Sequence, residues 1–246
     1  MKNSINEIFD VFDEYAMGYD LSIPELAHKY NHSYRVMHQS DEISKFLNLD
    51  EEDTYLAATI GLLHDIARFI QWKNYQTFND LESIDHGDEA AKILFDDNLI
   101  SKFNVDKNDY EIIRKSIINH NKLVYDENDL TVREKLHTKI IRDADKIDIY
   151  YSLANKMIEL QEDGSSVSDA VKKEFFEHKT IDRGNIKTLS DRIVSMFGFV
   201  YDLNYDYSKK RILDEGYIDM MYELLNDKEY FSDYRDEVIS FLKGEC

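Results

Sequence analysis

The chain has very little of what interrupts a helix: one proline and eight glycines in 246 residues. Proline removes a backbone donor and glycine costs conformational entropy. Their scarcity argues against a meander of short, turn-linked strands and favours long helices. Cysteine occurs once, as Cys246. A single cysteine excludes a disulfide framework and a thiolate metal cluster, and no cysteine nucleophile is expected. No apolar run approaches the roughly 20 residues of a membrane span. The opening "MKNSINEIFDVFDEYA" reads as an amphipathic helix and lacks the apolar stretch of a signal peptide. A cytoplasmic protein without a membrane partner is therefore expected. Positive charge is also scarce: 30 Lys and Arg stand against 50 Asp and Glu, for a net charge of -20. Such a chain repels long polyanions, so duplex nucleic acid is not expected as a partner. A small anion is still admissible if a metal ion supplies local positive charge.

What the sequence does contain is helical periodicity and helix-start signals. Hydrophobic residues make up 43% of the chain, enough for a core. Ser22 with Glu25, Asn108 with Glu111, and Thr131 with Glu134 read as capping boxes. Asp50 precedes "EEDTYLAATIGLLHDIARFI", whose acidic first turn suits the helix dipole. Ile140, Ala144, Ile147 and Tyr151 mark the buried stripe of the helix after Thr131. After the polar break "QEDGSSVSD", a short helix is expected near 168–177 and a longer one over about 186–203, then "EGYIDMMYELL" and "YFSDYRDEVISFL". The expectation is an all-α chain: a helical core over residues 1–160 with a C-terminal helical extension over 161–246 packed on it. No internal repeat and no low-complexity segment is present.

One stretch breaks the pattern of an ordinary core. In "GLLHDIARF", His64 lies at the edge of the stripe Leu56, Ile60, Leu63, Ala67 and Ile70, and Asp65 is turned about 100° from it. A buried carboxylate costs several kcal/mol unless something pairs with it. His32, one turn before Val36, stands in the same relation to its own helix. So do His86 before Ala90, His120 after Ile117, and Asp145 after Ile141. Each alone reads as a core histidine with a hydrogen-bond partner or as an ion-paired aspartate. Together, on several helices and all facing inward, they would leave unpaired buried polar groups unless a cation joins them. Neutral imidazole and carboxylate are natural ligands of Mn, Fe, Co, Ni, Zn or Mg.

The ordered set His32, His64–Asp65 and Asp145 resembles the HD-domain superfamily of metal-dependent phosphohydrolases. The contexts "HSYRV", "GLLHDIARF" and "DADKID" carry the likeness over roughly residues 25–160. "HGDEAAKIL" at His86 and "IINHNK" at His120 resemble members that hold two metals. The resemblance implies an HD-type helical bundle and one or two divalent ions per chain. His32, His64, Asp65 and Asp145 would hold the first, and His86 and His120 the second, with Asp65 bridging. Many two-metal members carry a His-His pair where this chain has His120–Asn121, which implies a weaker second site. Asp145 is preferred over Asp143 as the ligand because it precedes the basic residue. Asp143 is then expected to face solvent or to support a ligand.

The resemblance further implies a hydrolase of a small phosphate ester, such as a nucleotide, with metal-bound hydroxide as nucleophile. On that resemblance Asp65 would be its central catalytic residue. Arg68, Lys122 and Lys146 are placed in sequence to meet phosphate, with a surface ion pair as the alternative for each. Arg35 is expected in such a pair. Phe69, Trp72, Tyr75 and Phe78 are expected to pack in the core or its rim rather than to stack a base. Two other function classes remain: a two-iron oxygenase on the same ligand set, and a metal-binding regulatory module without turnover.

Overall fold

The computed structural model describes residues 5–245, with side chains from residue 8 onward. Met1 to Ser4, which open the expected N-terminal helix, and Cys246 lie outside the described residues. Among these residues there is no strand, and the chain is all-α. It forms two compact units, Met1–Asp145 and Lys146–Cys246.

The first unit contains α1 (Ile5–Ala16), α2 (Pro24–Phe46), α3 (Glu51–Leu63), α4 (Arg68–Tyr75), α5 (His86–Ala91), α6 (Tyr110–Asn119) and the first part of α7 (Val132–Ala154). The sequence gives α3 one apolar face, yet every residue from Leu56 to Leu63 is buried. A helix buried on all sides is a central one. Gly61 shows how closely α2 approaches it: a Cβ there would stand 2.7 Å from Ser40 Oγ and 2.8 Å from Met37 Cα. Only glycine admits that crossing without moving a backbone.

Two of the expected boxes and two expected helices come out differently. Ser22 does not cap α2, because its hydroxyl donates to Asp20 Oδ1 at 2.6 Å. Ile23 takes the cap position and Pro24 begins the helix. Asn108 does not cap α6. Its amide instead donates to Asp106 Oδ1 in a 3-10 turn, and α6 begins at Tyr110. Asp50 does cap α3, accepting from the Asp53 amide at 2.9 Å. Thr131 and Glu134 form both bonds of their box, at 3.3 and 2.6 Å.

The helix expected to run through "GLLHDIARFI" breaks after Leu63. The amides of Ile66 and Arg68 bond three residues back, to Leu63 and Asp65, instead of four. This tightening swings Asp65 inward from the border position that a regular helix would give it. The turn ends as α4 starts at Arg68.

The second unit continues α7 and adds α8 (Asp169–Phe176), α9 (Leu189–Phe197), α10 (Asp206–Asp214), α11 (Tyr217–Glu223) and α12 (Lys228–Lys243). In α7 the fully buried aromatic is Tyr150 and not Tyr151. Its hydroxyl donates to the carbonyls of Met196 and Phe197, both at 2.9 Å. The helix expected over 186–203 starts only at Leu189, since Thr188 and Asp191 form a capping box there, and it tightens into a 3-10 turn at Gly198–Asp202. No helix of the described residues is long and apolar enough to cross a membrane.

Candidate metal centre

Five segments of the first unit bring the six inward-facing residues to one place. His32 comes from the middle of α2, and His64 and Asp65 from the turn that closes α3. His86 is the first residue of α5, held there by the N-cap Asp85, which accepts from the amides of Gly87 and Asp88. His120 follows the last residue of α6, and Asp145 lies on α7. Asp145 is half-buried and the other five are buried.

The unit of the arrangement is Asp65, whose two carboxylate oxygens face different histidines. Oδ2 lies 3.4 Å from His32 Nε2 and 3.7 Å from His64 Nε2. Oδ1 lies 3.5 Å from His86 Nε2 and 3.8 Å from His120 Nε2. Asp145 Oδ1 completes the first group, 3.2 Å from His32 Nε2 and 3.7 Å from His64 Nε2. In each of the triads His32–His64–Asp65, His64–His120–Asp145 and Asp65–His86–His120, the ligand atoms lie within 4.8 Å of one another.

The hydrogen bonds behind the rings decide what those nitrogens can do. His64 Nδ1 donates to the Gly61 carbonyl at 2.8 Å, and His120 Nδ1 to the Ile117 carbonyl at 2.6 Å. His86 Nδ1 donates to Asp80 Oδ2 at 2.6 Å. Carbonyls and ionised carboxylates only accept, so each ring carries its proton on Nδ1. The Nε2 atoms that face inward therefore present lone pairs.

Burial keeps His86 and His120 neutral. Desolvation is the main cause in both, and nearby Arg68 and His86 respectively add to it. His86 Nε2 and His120 Nε2 stand 3.0 Å apart, and His64 Nε2 is buried without a hydrogen bond. Lone pairs turned toward one another in a dry site are costly unless a cation lies between them. The residues present therefore fit a divalent metal: imidazole nitrogens with fixed tautomers and ionised carboxylates.

The carboxylates are held ionised. Burial alone would raise the pKa of Asp65, but Lys29, His64 and Arg68 outweigh it and hold that pKa well below the ordinary range. Asp145 is likewise held down, against burial, by the imidazoles of His32 and His64 that face it. Asp80 is lowered, again against burial, by His86 and Arg68.

Of the three cations singled out from sequence, one reaches the cluster. Arg68 lies 3.3 Å from Asp65 Oδ1 and 3.2 Å from His86 Nε2, and it also bonds Asp80, Gln71 and the Phe78 carbonyl. Lys122 is paired with Asp85 at 2.7 Å and Asp88 at 3.1 Å. Lys146 is buried and paired with Asp202 at 2.5 Å. Asp143 is fully buried, so it does not face solvent. Asn121 lies behind His86, on the Nδ1 side of the ring, and donates to Asp80 and Asp85. It supports the turn before α5, and the Gly87 Cα beside it leaves no room for a Cβ. Phe69 is core, set against Phe12, Tyr15 and Tyr19. Trp72 packs on Phe78 with ring centroids 5.0 Å apart.

Two residues of the site were not singled out from sequence. Lys29, one turn before His32 on α2, donates to Asp65 Oδ2 at 2.8 Å; its spacing from His32 was a usable signal. Asp80 sits in a 3-10 turn with no periodicity to place it.

A family model of the HD domain matches residues 30–150, the span that holds the six clustered side chains. No curated protein and no solved structure matches significantly.

Proposed function

The chain belongs to the HD-domain superfamily over residues 30–150, and on that premise we propose that it is a metal-dependent phosphohydrolase acting on a nucleotide or another small phosphate ester. The observation that carries this reading is Asp65, with one oxygen toward His32 and His64 and the other toward His86 and His120. We assign one ion to His32, His64, Asp65 and Asp145, and a second to His86, His120 and the other oxygen of Asp65.

Divalent ions held there would lower the pKa of a coordinated water and polarise a phosphoryl oxygen. The chain does the rest. The Gly61 and Ile117 carbonyls and Asp80 fix the tautomers, so the lone pairs need no reorganisation when the ligands engage. Asp65 and Asp145 supply negative charge that offsets the ions in a largely water-free site. Arg68 is anchored through Nη1 by Asp80, Gln71 and the Phe78 carbonyl, which leaves Nη2, on the His86 side, as the nitrogen that would meet an oxygen of a transferring phosphoryl group. Lys122, held by Asp85 and Asp88, would act on substrate affinity more than on turnover.

The test is a panel of nucleotides and phosphodiesters offered to the metal-loaded chain, followed by Asp65→Asn on whichever substrate turns over. The substitution keeps the shape and removes the charge. Turnover is expected to fall by roughly 10²–10³ or more, as when a main transition-state contributor is lost. The fold should survive, because α3 keeps its buried residues. Near-native turnover by a folded Asp65→Asn would overturn the mechanism and favour a regulatory module. The nitrogen-rich pair His86 and His120 also suits iron, so oxygen uptake by the iron-loaded chain without phosphate release would favour the two-iron oxygenase.

A further inference from the structure

Besides the histidines, two cations approach Asp65, and they divide between its oxygens. Arg68 Nε lies 3.3 Å from Oδ1, the oxygen that faces His86 and His120. Lys29 Nζ lies 2.8 Å from Oδ2, the oxygen that faces His32 and His64. Each half of the centre thus has its own histidine pair and its own cation. Both cations flank one ring: Lys29 Nζ is 5.4 Å and the Arg68 guanidinium carbon 5.6 Å from the centre of Phe78. The Lys29 side chain is 14% exposed against 4% for Asp65, so solvent reaches the lysine more than the carboxylate it pairs with.

The metal-dependent reading leaves Lys29 unused. A protonated lysine has no lone pair and cannot be a ligand. It nonetheless makes the shortest of these contacts to Oδ2, an atom assigned above to the first ion. An ammonium and a divalent cation cannot share that oxygen closely, since they repel strongly in a site of low dielectric. We propose that Lys29 is a phosphate-binding residue: it neutralises Asp65 Oδ2 when no divalent ion does, and yields that oxygen when one binds. Its ammonium is then left at the mouth of the first site to take a phosphoryl oxygen.

Three features support this. The stem springs from α2 one turn before His32, so the ammonium can leave Asp65 and stay on the same face of the site. Phe78 gives the displaced ammonium an aromatic surface to rest on, where a dry carboxylate would hold it back. Arg68 is anchored by Asp80, Gln71 and a backbone carbonyl, whereas among the described residues Lys29 hydrogen-bonds only Asp65. Lys29 is therefore the cation that moves and Arg68 the one that stays. The inference rests on the metal-dependent reading of the same site.

The experiment compares the native chain with Lys29→Met, Lys29→Gln and Lys29→Arg, each checked by circular dichroism. Calorimetry measures Mn²⁺ binding. Broadening of the ³¹P resonance measures inorganic phosphate binding to the Mn²⁺-loaded protein. Both neutral variants are expected to bind Mn²⁺ as tightly as the native chain or several-fold tighter, since a competitor is gone. They should bind phosphate about tenfold or more weakly. Lys29→Arg should keep phosphate affinity within about threefold.

Native-like phosphate affinity in either neutral variant overturns the proposal while leaving the metal site standing. Weakened Mn²⁺ binding, or failure of both neutral variants to fold, also overturns it, because Lys29 would then be a support of the cage. A native chain that binds no Mn²⁺ fails the underlying reading itself.

Discussion

Asp80 is the residue whose replacement best separates the two halves of the centre. Its Oδ2 accepts from His86 Nδ1 at 2.6 Å, and its Oδ1 accepts from Arg68 at 3.0 Å and from Gln71 at 3.1 Å. Asp80→Asn turns one of those acceptors into a donor. If the amide nitrogen faces His86, two N–H groups oppose each other. The ring must then move its proton to Nε2 and lose the lone pair that points at Asp65. If the amide nitrogen faces Arg68 and Gln71, those donors lose their acceptor and the guanidinium loses its anchor. In either orientation the negative charge that strengthens the imidazole as a ligand is gone.

Loss of such a supporting carboxylate typically costs 10–100-fold in metal affinity, or roughly 1.4–2.7 kcal/mol. The cost should fall on one site only. The first group is held elsewhere: His64 is oriented by the Gly61 carbonyl, and Asp145 faces His32 and His64. A calorimetric Mn²⁺ titration at pH 7.5 should therefore show the weaker of two steps displaced by 10–100-fold. The tighter step should stay within about threefold. Equal displacement of both steps, or of neither, would refute the assignment of His86 to a second ion. Thermal unfolding of the metal-free variant would show whether a uniform loss came only from a damaged fold.

Gly61→Ala should cost about 3 kcal/mol in urea unfolding, at the upper end of overpacking costs, because the new methyl would stand 2.8 Å from Met37 Cα, a backbone atom that cannot yield; a loss under about 1 kcal/mol would mean that α2 can shift. Stability should be level above about pH 6.5 and decline below it. Burial holds His137 below its ordinary pKa of 6.5, so the unfolded chain takes up the proton first. Asp53 is held below its ordinary 3.8, against burial, by His137 and Arg133, and adds a second loss as pH falls through and below that value. Denaturant unfolding between pH 8 and pH 3 should show both slopes. His137→Gln should make the upper one shallower without abolishing it, since His86 and His120 contribute there too.

The parts of the fold legible in sequence are those decided within a few residues. Asp50 and the Thr131–Glu134 box cap their helices because their partner amides are three positions away and nothing else competes. Ser22 and Asn108 carry the same signal and fail: the Ser22 hydroxyl turns to Asp20, and Asp106 caps a 3-10 turn over Lys107–Asp109 that takes Asn108 inside it, ahead of α6. The burial of α3 on all sides was not legible. Periodicity reports contrast between faces, and a helix enclosed by its neighbours has little contrast to show.

The same division runs through the centre. His32, His120 and Asp145 sit on regular helices or at their ends, so spacing from Val36, Ile117 and Ile141 shows which way they face. Lys29 obeys the same rule relative to His32 and was readable on geometry. Spacing alone does not mark it, because a lysine beside an apolar stripe usually lies on a solvated face. Asp80 obeys no such rule. It reaches His86 from a 3-10 turn whose conformation is set by Asn79 accepting from the Leu81 amide and by the Gln71 side chain reaching across from α4. Periodic spacing thus exposes the atoms that would touch a metal, because helices present them. The groups that fix their protons come from carbonyls and turns that only the folded chain brings close. Asp65 shows both: its place beside His64 is written in the sequence, while its inward turn depends on two backbone bonds that shorten from four residues to three.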